Sequence, residues 1–161
     1  MTQALIAFGG NVGDARATIA AGIAAFCDGR AATLVRRSAD YRTPPWGVED
    51  QPPFVNACIV AETDLAPRDL LAHAQAVERR FGRDRSCETH WGPRTLDIDL
   101  IAFGDLALDE PGLVLPHPRL FERAFVLVPL AEIAADAVIA GRRIGDAAAA
   151  IARTGIARLA P

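Results

Sequence analysis

The sequence contains no lysine, and all 17 of its basic residues are arginine. A Walker-type phosphate loop, a Schiff-base mechanism and a protein-kinase ATP site each require a lysine amine, so the sequence excludes all three. Serine is almost as scarce, because only Ser38 and Ser86 occur and neither stands in a Gly-x-Ser-x-Gly turn. A serine hydrolase of the nucleophile-elbow type is therefore excluded as well. Without lysine, phosphate chemistry would have to use arginine as its long cationic side chain.

Cysteine and long apolar segments are also scarce. Cys27, Cys58 and Cys87 are an odd number without a Cys-x-x-Cys pair, which argues against a disulfide framework or a zinc site. No apolar run approaches the ~20 residues of a membrane helix, and the N-terminus lacks the basic residues of a secretory signal. The net charge of −3 gives no general attraction to nucleic acid or anionic lipid. We therefore expect a cytoplasmic protein with no nucleic-acid partner and no membrane partner.

The length of the chain indicates one domain. At ~100–200 residues per domain, 161 residues correspond to a single unit. A chain of this size buries roughly 68–70% of the surface that its unfolded form exposes, so it needs no disulfide or metal to hold a core. We predict a single domain that spans residues 1–161.

The hydrophobic periodicity predicts the order of the elements. Strands are expected at residues 4–8, 33–41, 54–62 and 95–103, and helices at 15–28, 67–81, about 119–134 and 144–152. The proline-rich residues 43–53 and the segment 82–93 are predicted loops. Strand–helix–strand occurs twice and is followed by a helical tail. This order predicts an α+β fold, namely a ferredoxin-like βαββαβ sandwich whose antiparallel sheet carries helices on one face, plus C-terminal helices.

Two acidic residues lie in the last long predicted strand. Side chains alternate across a strand, so Asp97 and Asp99 share one face, ~6.6 Å apart along the chain, while the apolar residues between them face the core. Two such carboxylates repel each other unless a cation lies between them, and oxygen ligands without nearby His or Cys favour Mg²⁺ over zinc. Taken alone, the pair is also explained by an exposed, solvated strand face.

An arginine-rich segment precedes this strand. The arginines at positions 79, 80, 83, 85 and 94 fall close together, with His90 and Trp91 among them. Guanidinium groups bind phosphate oxygens in a bidentate manner, and Trp91 could stack on a base. A solubilising helix end is the alternative explanation, because cations favour helix C-termini. Beside paired carboxylates, the arginines favour Mg²⁺-assisted phosphoryl transfer from a nucleotide.

Three further groups of residues have possible roles in a binding site. Phe54 and Asn56 share a strand face and, with Thr43 and backbone groups of the proline-rich loop, suit a flat heterocycle with an amide-like edge; a core Phe and a turn Asn explain them equally well. His117 and Arg123 could add positive charge on the phosphate side. The glycine-rich segment 9–13 is not Gly-x-Gly-x-x-Gly, and we interpret it as a tight turn.

These residues leave more than one function open. A nucleotidyltransferase also uses strand carboxylates and Mg²⁺ on ATP, but it releases pyrophosphate and attaches AMP to its acceptor. A non-catalytic alternative is a ferredoxin-like regulatory module that binds a small heterocycle. Such a module has no need of two carboxylates beside an arginine loop, so Mg²⁺-dependent ATP binding separates the two classes.

The motifs together resemble those of the 6-hydroxymethyl-7,8-dihydropterin pyrophosphokinase family. The resemblance runs from Ala4 to about Ala134, and its most specific part is the run Trp91-Gly92-Pro93-Arg94-Thr95-Leu96-Asp97-Ile98-Asp99-Leu100. Supporting segments are Gly9-Gly10-Asn11-Val12-Gly13-Asp14, Tyr41-Arg42-Thr43-Pro44-Pro45, Phe54-Val55-Asn56-Ala57 and Pro116-His117-Pro118. Relatives often have Ser or Thr at the position of Gly10, which we expect to be harmless in a turn.

The resemblance implies a ferredoxin-like fold and pyrophosphate transfer from the co-substrate ATP to the pterin, in folate biosynthesis. It assigns two Mg²⁺ ions to Asp97 and Asp99, and catalytic roles to these residues with Arg94 and Arg85. The residues implied for pterin binding are Thr43, Pro44, Pro45, Trp46, Phe54, Asn56 and Phe125. Those implied for ATP binding are Leu71, Gln75, Glu78, Arg85, Trp91, Arg94, Leu100, His117 and Arg123. We expect a monomer whose partners are these two small molecules.

Overall fold

The computed structural model of the chain describes residues 1–47, 49–83, 92 and 94–161. Its strands are β1 (Thr2–Gly10), β2 (Thr33–Arg37), β3 (Tyr41–Thr43), β4 (Phe54–Thr63), β5 (Asp97–Phe103), β6 (Leu108–Glu110), β7 (Leu113–Leu115), β8 (Val138–Ile139), β9 (Arg142–Arg143) and β10 (Ala157–Arg158). Its helices are α1 (Ala15–Phe26), α2 (Pro67–Arg80), α3 (Ala124–Ala134) and α4 (Ile144–Ala150), and a short 3₁₀ turn spans Leu120–Glu122.

The main sheet has the predicted ferredoxin-like order. Its strands run in the sequence β10-β3-β4-β1-β5, with β2 also paired to β4, and the neighbouring strands are antiparallel. The first strand therefore lies in the middle of the sheet and β5 lies at one edge. The α+β class and the antiparallel sheet predicted from the sequence are confirmed.

The first helices begin where their sequence signals place them. Asp14 caps α1 by accepting a hydrogen bond from the Ala17 amide, and α2 begins at Pro67, a residue whose fixed φ suits the first turn of a helix. Both helices pack on one face of the sheet, where Phe8, Phe26 and Leu70 are fully buried. This is the face on which all the helices of the ferredoxin-like unit were expected.

The two helices of the ferredoxin-like unit thus lie on one face, and the opposite face is covered by the predicted C-terminal helices, whose place against the sheet was not predicted. Residues of α3 and α4 form a second buried cluster against Leu5, Cys58 and Val60. The sequence carries this signal, because the run at residues 4–8 is apolar at every position, and continuous runs are typical of strands buried on both faces. The C-terminal residues thus complete the sheet rather than extend beyond it.

Residues 33–41 form two short strands rather than the single one predicted. The break lies at Ser38, whose backbone amide donates to the Cys58 carbonyl and whose Oγ accepts from the Cys58 amide at 2.9 Å. Because the serine hydroxyl takes the place of a main-chain acceptor, the regular ladder ends there and resumes at Tyr41. The second strand includes Thr43, which was expected to begin the loop.

Other boundaries differ by a few residues. β5 begins at Asp97 rather than at residue 95, and α4 ends at Ala150 rather than at residue 152. The hairpins β6–β7 and β8–β9 and the C-terminal strand β10 were not predicted, since segments of two or three residues carry no periodicity. Among the helices of the described residues, none has the length and apolar character that crossing a membrane requires.

Candidate active site

A row of side chains crosses the sheet at one end. Tyr41 pairs with Asn56, Asn56 with Gly9, and Gly9 with Asp97. Residues directly opposite each other in antiparallel strands present their side chains on the same face. The row therefore places an amide, a glycine and a carboxylate side by side on the face that α3 covers. Asp99 lies on this face too, opposite Ala7, so the prediction that the two carboxylates share a face is confirmed.

Gly9 and the next residue, Gly10, belong to strand β1, which corrects the prediction of a turn at these positions. A β-carbon on Gly9 would lie 2.5 Å from the Asn56 Oδ1, and one on Gly10 would lie 2.6 Å from the Thr95 carbonyl oxygen. Real β-carbons do not approach other atoms so closely. Gly9 therefore leaves the floor of the site open, and Gly10 allows residue 95 to approach β1. The turn itself is formed further on, at Gly13, where φ is +65°.

Asn56 is held in a fixed orientation. Its Nδ2 donates to the Thr43 Oγ1 at 2.7 Å, and its side chain is almost fully buried. A hydroxyl that accepts this bond still carries a proton to donate, and the Asn56 Oδ1 still accepts. The pair thus presents a donor and an acceptor next to each other, as an amide-like edge of a heterocycle requires.

An aromatic and cationic wall faces this pair. The rings of Trp46 and Phe125 meet edge to face with centroids 6.4 Å apart. The Arg123 guanidinium lies 4.9 Å from the Trp46 ring centroid and 5.5 Å from that of Phe125, and Arg119 lies 5.2 Å from the Trp46 ring. Such contacts fix the guanidinium groups against the rings. The wall is therefore apolar toward Asn56 and positively charged toward the two acids.

The floor and the wall enclose one cleft of about 590 Å³, part of which opens to solvent. The lining includes six of the residues expected around the pterin and four of those expected around the metal or ATP. These residues are Thr43, Pro44, Trp46, Phe54, Asn56, Phe125, Arg94, Asp97, Asp99 and Arg123. Pro45, which lies between Pro44 and Trp46, is not among the described lining residues.

Each acid has an arginine partner. The Arg83 Nη1 lies 2.6 Å from the Asp97 Oδ1, and the Arg123 Nη1 lies 3.7 Å from the Asp99 Oδ2. Burial and the nearby charge of Asp97 raise the pKa of Asp99 to about 7, although Arg123 opposes the shift. The Asp97 and Asp99 carboxylates therefore repel each other, which fits a place for a cation between them.

Arg83 is a buried link between two acids. The same Nη1 lies 2.5 Å from the Glu78 Oε2, and the side chains of Arg83 and Glu78 are 5% and 2% exposed. The Glu78 Oε2 also accepts from the Ile98 amide at 2.9 Å. Glu78 thus fixes both the edge strand and the arginine that contacts Asp97. The sequence places Arg83 in the arginine-rich segment, but it carries no signal of this role.

Asn11 joins two segments of the site. Its Nδ2 donates to the Gln51 Oε1 at 3.0 Å and to the Pro52 carbonyl at 2.9 Å, while its Oδ1 accepts from the Arg94 amide at 2.9 Å. The Arg94 guanidinium donates to the Gly92 carbonyl at 2.7 Å. Asn11 therefore ties the proline-rich loop to the start of the acidic strand. The sequence offered only the Gly-Gly-Asn motif as a signal of this role.

His117 does not supply the positive charge that was expected of it. Burial and the charge of Arg123 lower the pKa of His117 to about 4, so the imidazole is neutral near pH 7. Its Nδ1 lies 3.1 Å from the Arg119 amide and accepts from it, which leaves the ring proton on Nε2. His117 is therefore a neutral donor, and Arg123 carries the charge. Of the described residues, none offers a hydrogen-bond acceptor to the buried Arg123 Nε.

The remaining expected ATP residues lie around the edge strand. Leu71, Gln75 and Glu78 follow helical spacing on α2, and Leu100 belongs to the buried cluster between α2 and the sheet. They are thus on the face opposite the two acids. Because β5 is the edge strand of the sheet, a ligand that contacts both these residues and the two acids has to pass around that edge. Arg85 and Trp91 lie outside the described residues.

The donor chemistry fits Mg²⁺. Among the described residues, no group of three or more His, Cys, Asp or Glu side chains could hold a metal by itself. Mg²⁺ is commonly bound by one or two carboxylates, with phosphate oxygens and waters as its other ligands. Asp97 and Asp99, on one face beside a cleft lined with arginine, supply that incomplete set.

Comparisons with known proteins agree with this geometry. Residues 5–135 match the family described as 7,8-dihydro-6-hydroxymethylpterin-pyrophosphokinase (HPPK). The chain belongs to this family. It is 45% identical over 159 residues to the 2-amino-4-hydroxy-6-hydroxymethyldihydropteridine pyrophosphokinase of Methylorubrum extorquens, covering 99% of each chain. It is 43% identical over 155 residues to the Pseudomonas aeruginosa protein of the same name, covering 96% of this chain and 94% of that one.

Solved structures of the HPPK family share the fold. The wild-type HPPK-DHPS of Plasmodium falciparum with SDX-DHP superposes with a TM-score of 0.69 at 12% identity, over 92% of this chain. An HPPK-DHPS in complex with substrates gives a TM-score of 0.71, also at 12% identity. This chain covers 43% of each of those longer chains, so the likeness concerns their HPPK-like part.

Proposed function

We propose that this HPPK-family chain transfers pyrophosphate from ATP to 6-hydroxymethyl-7,8-dihydropterin in folate biosynthesis. The hydroxymethyl oxygen forms a bond to the β-phosphorus, and the bond from that phosphorus to the α–β bridging oxygen breaks. AMP leaves with the electron pair, and the hydroxyl proton is released to solvent. The names of relatives that are 43–45% identical over nearly the whole chain support this reaction.

One structural observation carries the proposal. In the row Asn56, Gly9 and Asp97, the amide that we assign to the heterocycle lies on β4 and the carboxylate that we assign to the metal lies on β5, with β1 between them in one cleft. Antiparallel neighbours lie ~4.7–4.9 Å apart, so the amide and the carboxylate are separated by about two strand spacings. A pterin held at Asn56 therefore has room to direct its side group toward Asp97.

We assign pterin recognition to the two sides of the cleft. Thr43 and Asn56 offer the adjacent donor and acceptor for the polar edge of the pterin, and Phe54 and Phe125 offer apolar ring faces. Pro44, Pro45 and Trp46 form the rim with their backbone groups. A flat substrate buried this way keeps its polar groups hydrogen-bonded, which is the condition for burying them at low cost.

We assign ATP to the acidic end and to the edge strand. Arg94 and Arg123 line the cleft beside the acids, and the Arg123 Nε, which has no acceptor among the residues that the structure describes, suits an anionic ligand. His117 adds a neutral donor, and we assign Leu71, Gln75, Glu78 and Leu100 to the part of the nucleotide that passes around β5 toward α2, although the Glu78 and Leu100 side chains are buried. Arg85 and Trp91 remain predicted ATP residues on the strength of their place in the family motif.

Two Mg²⁺ ions held by Asp97 and Asp99 would neutralise phosphate charge as the β-phosphorus is attacked. Their number is tested by equilibrium binding of Mn²⁺ in the presence of a non-hydrolysable ATP analogue. We expect two sites in the native chain and fewer in the Asp97→Asn variant. A single site in the native chain would contradict the assignment.

The chain's own residues act mainly by positioning. The described lining residues include no group suited to act as a strong base, and a loose phosphoryl-transfer transition state needs little covalent help. Arg83 orients Asp97, Arg123 lies against Asp99, and the Thr43–Asn56 pair fixes the acceptor. Holding two reactants in line in this way supplies a large share of a rate enhancement.

Phosphorus NMR of ATP, Mg²⁺ and 6-hydroxymethyl-7,8-dihydropterin with the purified chain tests the reaction. We expect AMP and a pterin diphosphate without free pyrophosphate. Release of pyrophosphate would indicate a nucleotidyltransferase, and release of ADP would indicate an ordinary kinase. An unchanged spectrum, with ATP shown to bind, would indicate a binding module. Arg94→Ala should lower turnover more than pterin affinity, since Arg94 is assigned to the phosphates; an equal loss of pterin affinity would move it out of that site.

We also propose that the chain acts as a cytoplasmic monomer of one domain, residues 1–161. Sedimentation equilibrium of the purified chain tests the monomer. A single mass near 17.1 kDa is expected, and a concentration-dependent dimer would contradict it.

A further inference from the structure

One carboxylate outside the cleft joins three elements of the fold. The Glu132 Oε1 accepts from the Tyr41 hydroxyl at 2.7 Å and from the Arg158 Nε at 3.0 Å, and its Oε2 accepts from the Ala39 amide at 2.6 Å. These partners lie on β3, on β10 and just before β3. Both oxygens of Glu132 are therefore engaged, although about a quarter of the side chain is exposed.

The elements joined by Glu132 form two facing sides of the cleft, here called its two walls: the strands that carry Thr43 and Asn56 are one, and α3 with Phe125 is the other. Tyr41 lies two residues before Thr43 on β3 and pairs with Asn56 across the sheet. Glu132 lies two helical turns after Phe125 on α3, about 10 Å along the axis at ~1.5 Å per residue. Thr43 and Asn56 belong to one wall and Phe125 to the other, so the bond between Tyr41 and Glu132 fixes the distance between them.

We propose that Glu132 is a positioning residue that sets the width of the heterocycle cleft, and that the C-terminal strand holds it in place through Arg158. The assignment of the cleft to the pterin rests on the proposed function. The positioning itself rests on the contacts of Glu132 with both walls. Neither the cleft lining nor the family motif includes this residue.

The C-terminal segment supports the same wall from its outer side. β10 pairs with β3, the Leu159 amide donates to the Asp40 carbonyl at 2.9 Å, and the Arg16 Nη2 donates to the Ala160 carbonyl at 2.6 Å. A β-carbon on Gly155 would lie 3.4 Å from Pro44, at ordinary van der Waals distance, so this segment lies beside a residue that lines the cleft. The end of the chain thus anchors the strand that carries Thr43.

The charge of Glu132 is maintained by its donors. Partial burial opposes ionisation, but the hydrogen bonds from Tyr41, Ala39 and Arg158 outweigh it and hold the pKa of Glu132 below its usual range. Burial and the nearby Glu132 raise the pKa of Tyr41. The proton therefore stays on the tyrosine, and the hydroxyl donates. An amide in place of the carboxylate would direct an N–H group at one of these donors.

The test compares Glu132→Gln with Asp146→Asn in the full-length chain. Asp146 lies on α4 and pairs with Arg143 on the surface at 3.0 Å, so this control removes the same charge away from the cleft. For Glu132→Gln we expect pterin affinity to fall about 10-fold, the loss of one charge-assisted contact. ATP affinity and the thermal midpoint should change little. The control should match the native chain in all three measurements.

A double-mutant cycle separates positioning from general stability. Tyr41→Phe removes only the hydroxyl, so it should weaken pterin binding to a similar degree, and combining it with Glu132→Gln should add little. Arg158→Gln should give a smaller effect, which provides a milder variant if Glu132→Gln folds poorly. Full additivity of the two variants would overturn the proposal. So would a parallel loss of pterin affinity, ATP affinity and thermal midpoint.

A measurement without ligand keeps this proposal independent of the reaction. The amide chemical shifts of Thr43, Asn56 and Phe125 should move in Glu132→Gln and stay in place in Asp146→Asn. If the native chain failed to transfer pyrophosphate while these shifts moved as expected, the proposed function would fail and the positioning role would stand. Unchanged shifts would overturn the positioning role, whatever the chain catalyses.

Discussion

Gly9 stands directly opposite Asn56 in the pairing of β1 with β4, and a β-carbon at position 9 would lie 2.5 Å from the Asn56 Oδ1. The amide that we assign to the pterin thus occupies space that only glycine leaves open. The 2.7 Å bond from Asn56 to Thr43 depends on the same space. A glycine in a central strand, which weakens the strand itself, is here a requirement of the site.

Replacing Gly9 by alanine should therefore impair pterin binding. Asn56 has to rotate away from the new methyl group and so loses its bond to Thr43, and we expect pterin affinity to fall about 10-fold or more. Isothermal titration with the pterin measures this. Gly29→Ala is the control, because Gly29 is not among the described residues that line the cleft and its φ of +80° strains an alanine, so this variant should lose stability but keep native pterin affinity. Native affinity in Gly9→Ala would remove Asn56 from the binding site.

Asp99→Asn should stabilise the metal-free chain while abolishing turnover. The pKa of Asp99 is raised to about 7 by burial and by Asp97, so between about pH 4 and pH 7 the folded state binds more protons than the unfolded state. Stability then falls as the pH rises through this window. At pH 8 the neutral amide should add on the order of 1 kcal/mol to the free energy of unfolding, after allowance for the third of the side chain that water reaches.

Urea unfolding in EDTA at pH 8 measures this gain. Asp109→Asn, an exposed change on the β6–β7 hairpin, serves as the control and should leave the midpoint unchanged. A loss of stability in Asp99→Asn would mean that the contact with Arg123 outweighs the repulsion from Asp97. Such gains at a site that loses activity are expected where function requires like charges to be close.

Removing Arg83 should unfold the chain more readily. Arg83→Met leaves Glu78 buried without its cationic partner, and breaking a buried pair in this way costs about 3–5 kcal/mol. Arg80→Met, an exposed change at the end of α2, should shift the free energy of unfolding by less than about 0.5 kcal/mol. The double variant Glu78→Gln with Arg83→Met should recover much of the loss. Strict additivity of the two changes would contradict the coupling.

His117 should make the chain sensitive to acid. Its pKa is about 4 in the folded state and about 6.5 when unfolded, so the unfolded state binds more protons between these values. Stability is complete above about pH 6.5 and falls, by up to about 1 kcal/mol per pH unit, as the pH decreases toward 4. In His117→Asn, whose amide oxygen still accepts from Arg119, the slope in this window should be smaller. Equal slopes would show that other groups cause the acid sensitivity.

Much of the fold could be predicted because its elements carry strong local signals. Asp14, Pro67 and the alternation around Asp97 correctly located two helix starts and the acidic face. The C-terminal helices were predicted but their place on the second face was not, although the unbroken apolar run at residues 4–8 indicates a strand covered on both sides. The break at Ser38 could not be foreseen, since it depends on a side chain that replaces a backbone acceptor across the sheet.

The site was predicted less completely than the fold. Thr43, Asn56 and the two acids could be predicted as site residues from residue type, because their side chains offer the hydrogen-bonding or metal-binding groups that a heterocycle or a phosphate requires. Asn11 and Glu132 were missed, because their roles come from partners that lie 40 or more residues away in the sequence. The expected charge on His117 was wrong for a related reason: burial and a distant arginine set the protonation of the ring.

The central place of β1 governs the order in which the chain can assemble. β1 is synthesised first, yet its neighbours are β4 and β5, and β5 ends only at Phe103. On the ribosome, the first strand must therefore wait for more than half of the chain before both of its edges are covered. Pairing of such distant segments slows folding and leaves edges open to wrong partners. We expect nascent chains halted before residue 103 to require a chaperone, and the full 161-residue chain, which also carries the helices of the second face, to fold unaided.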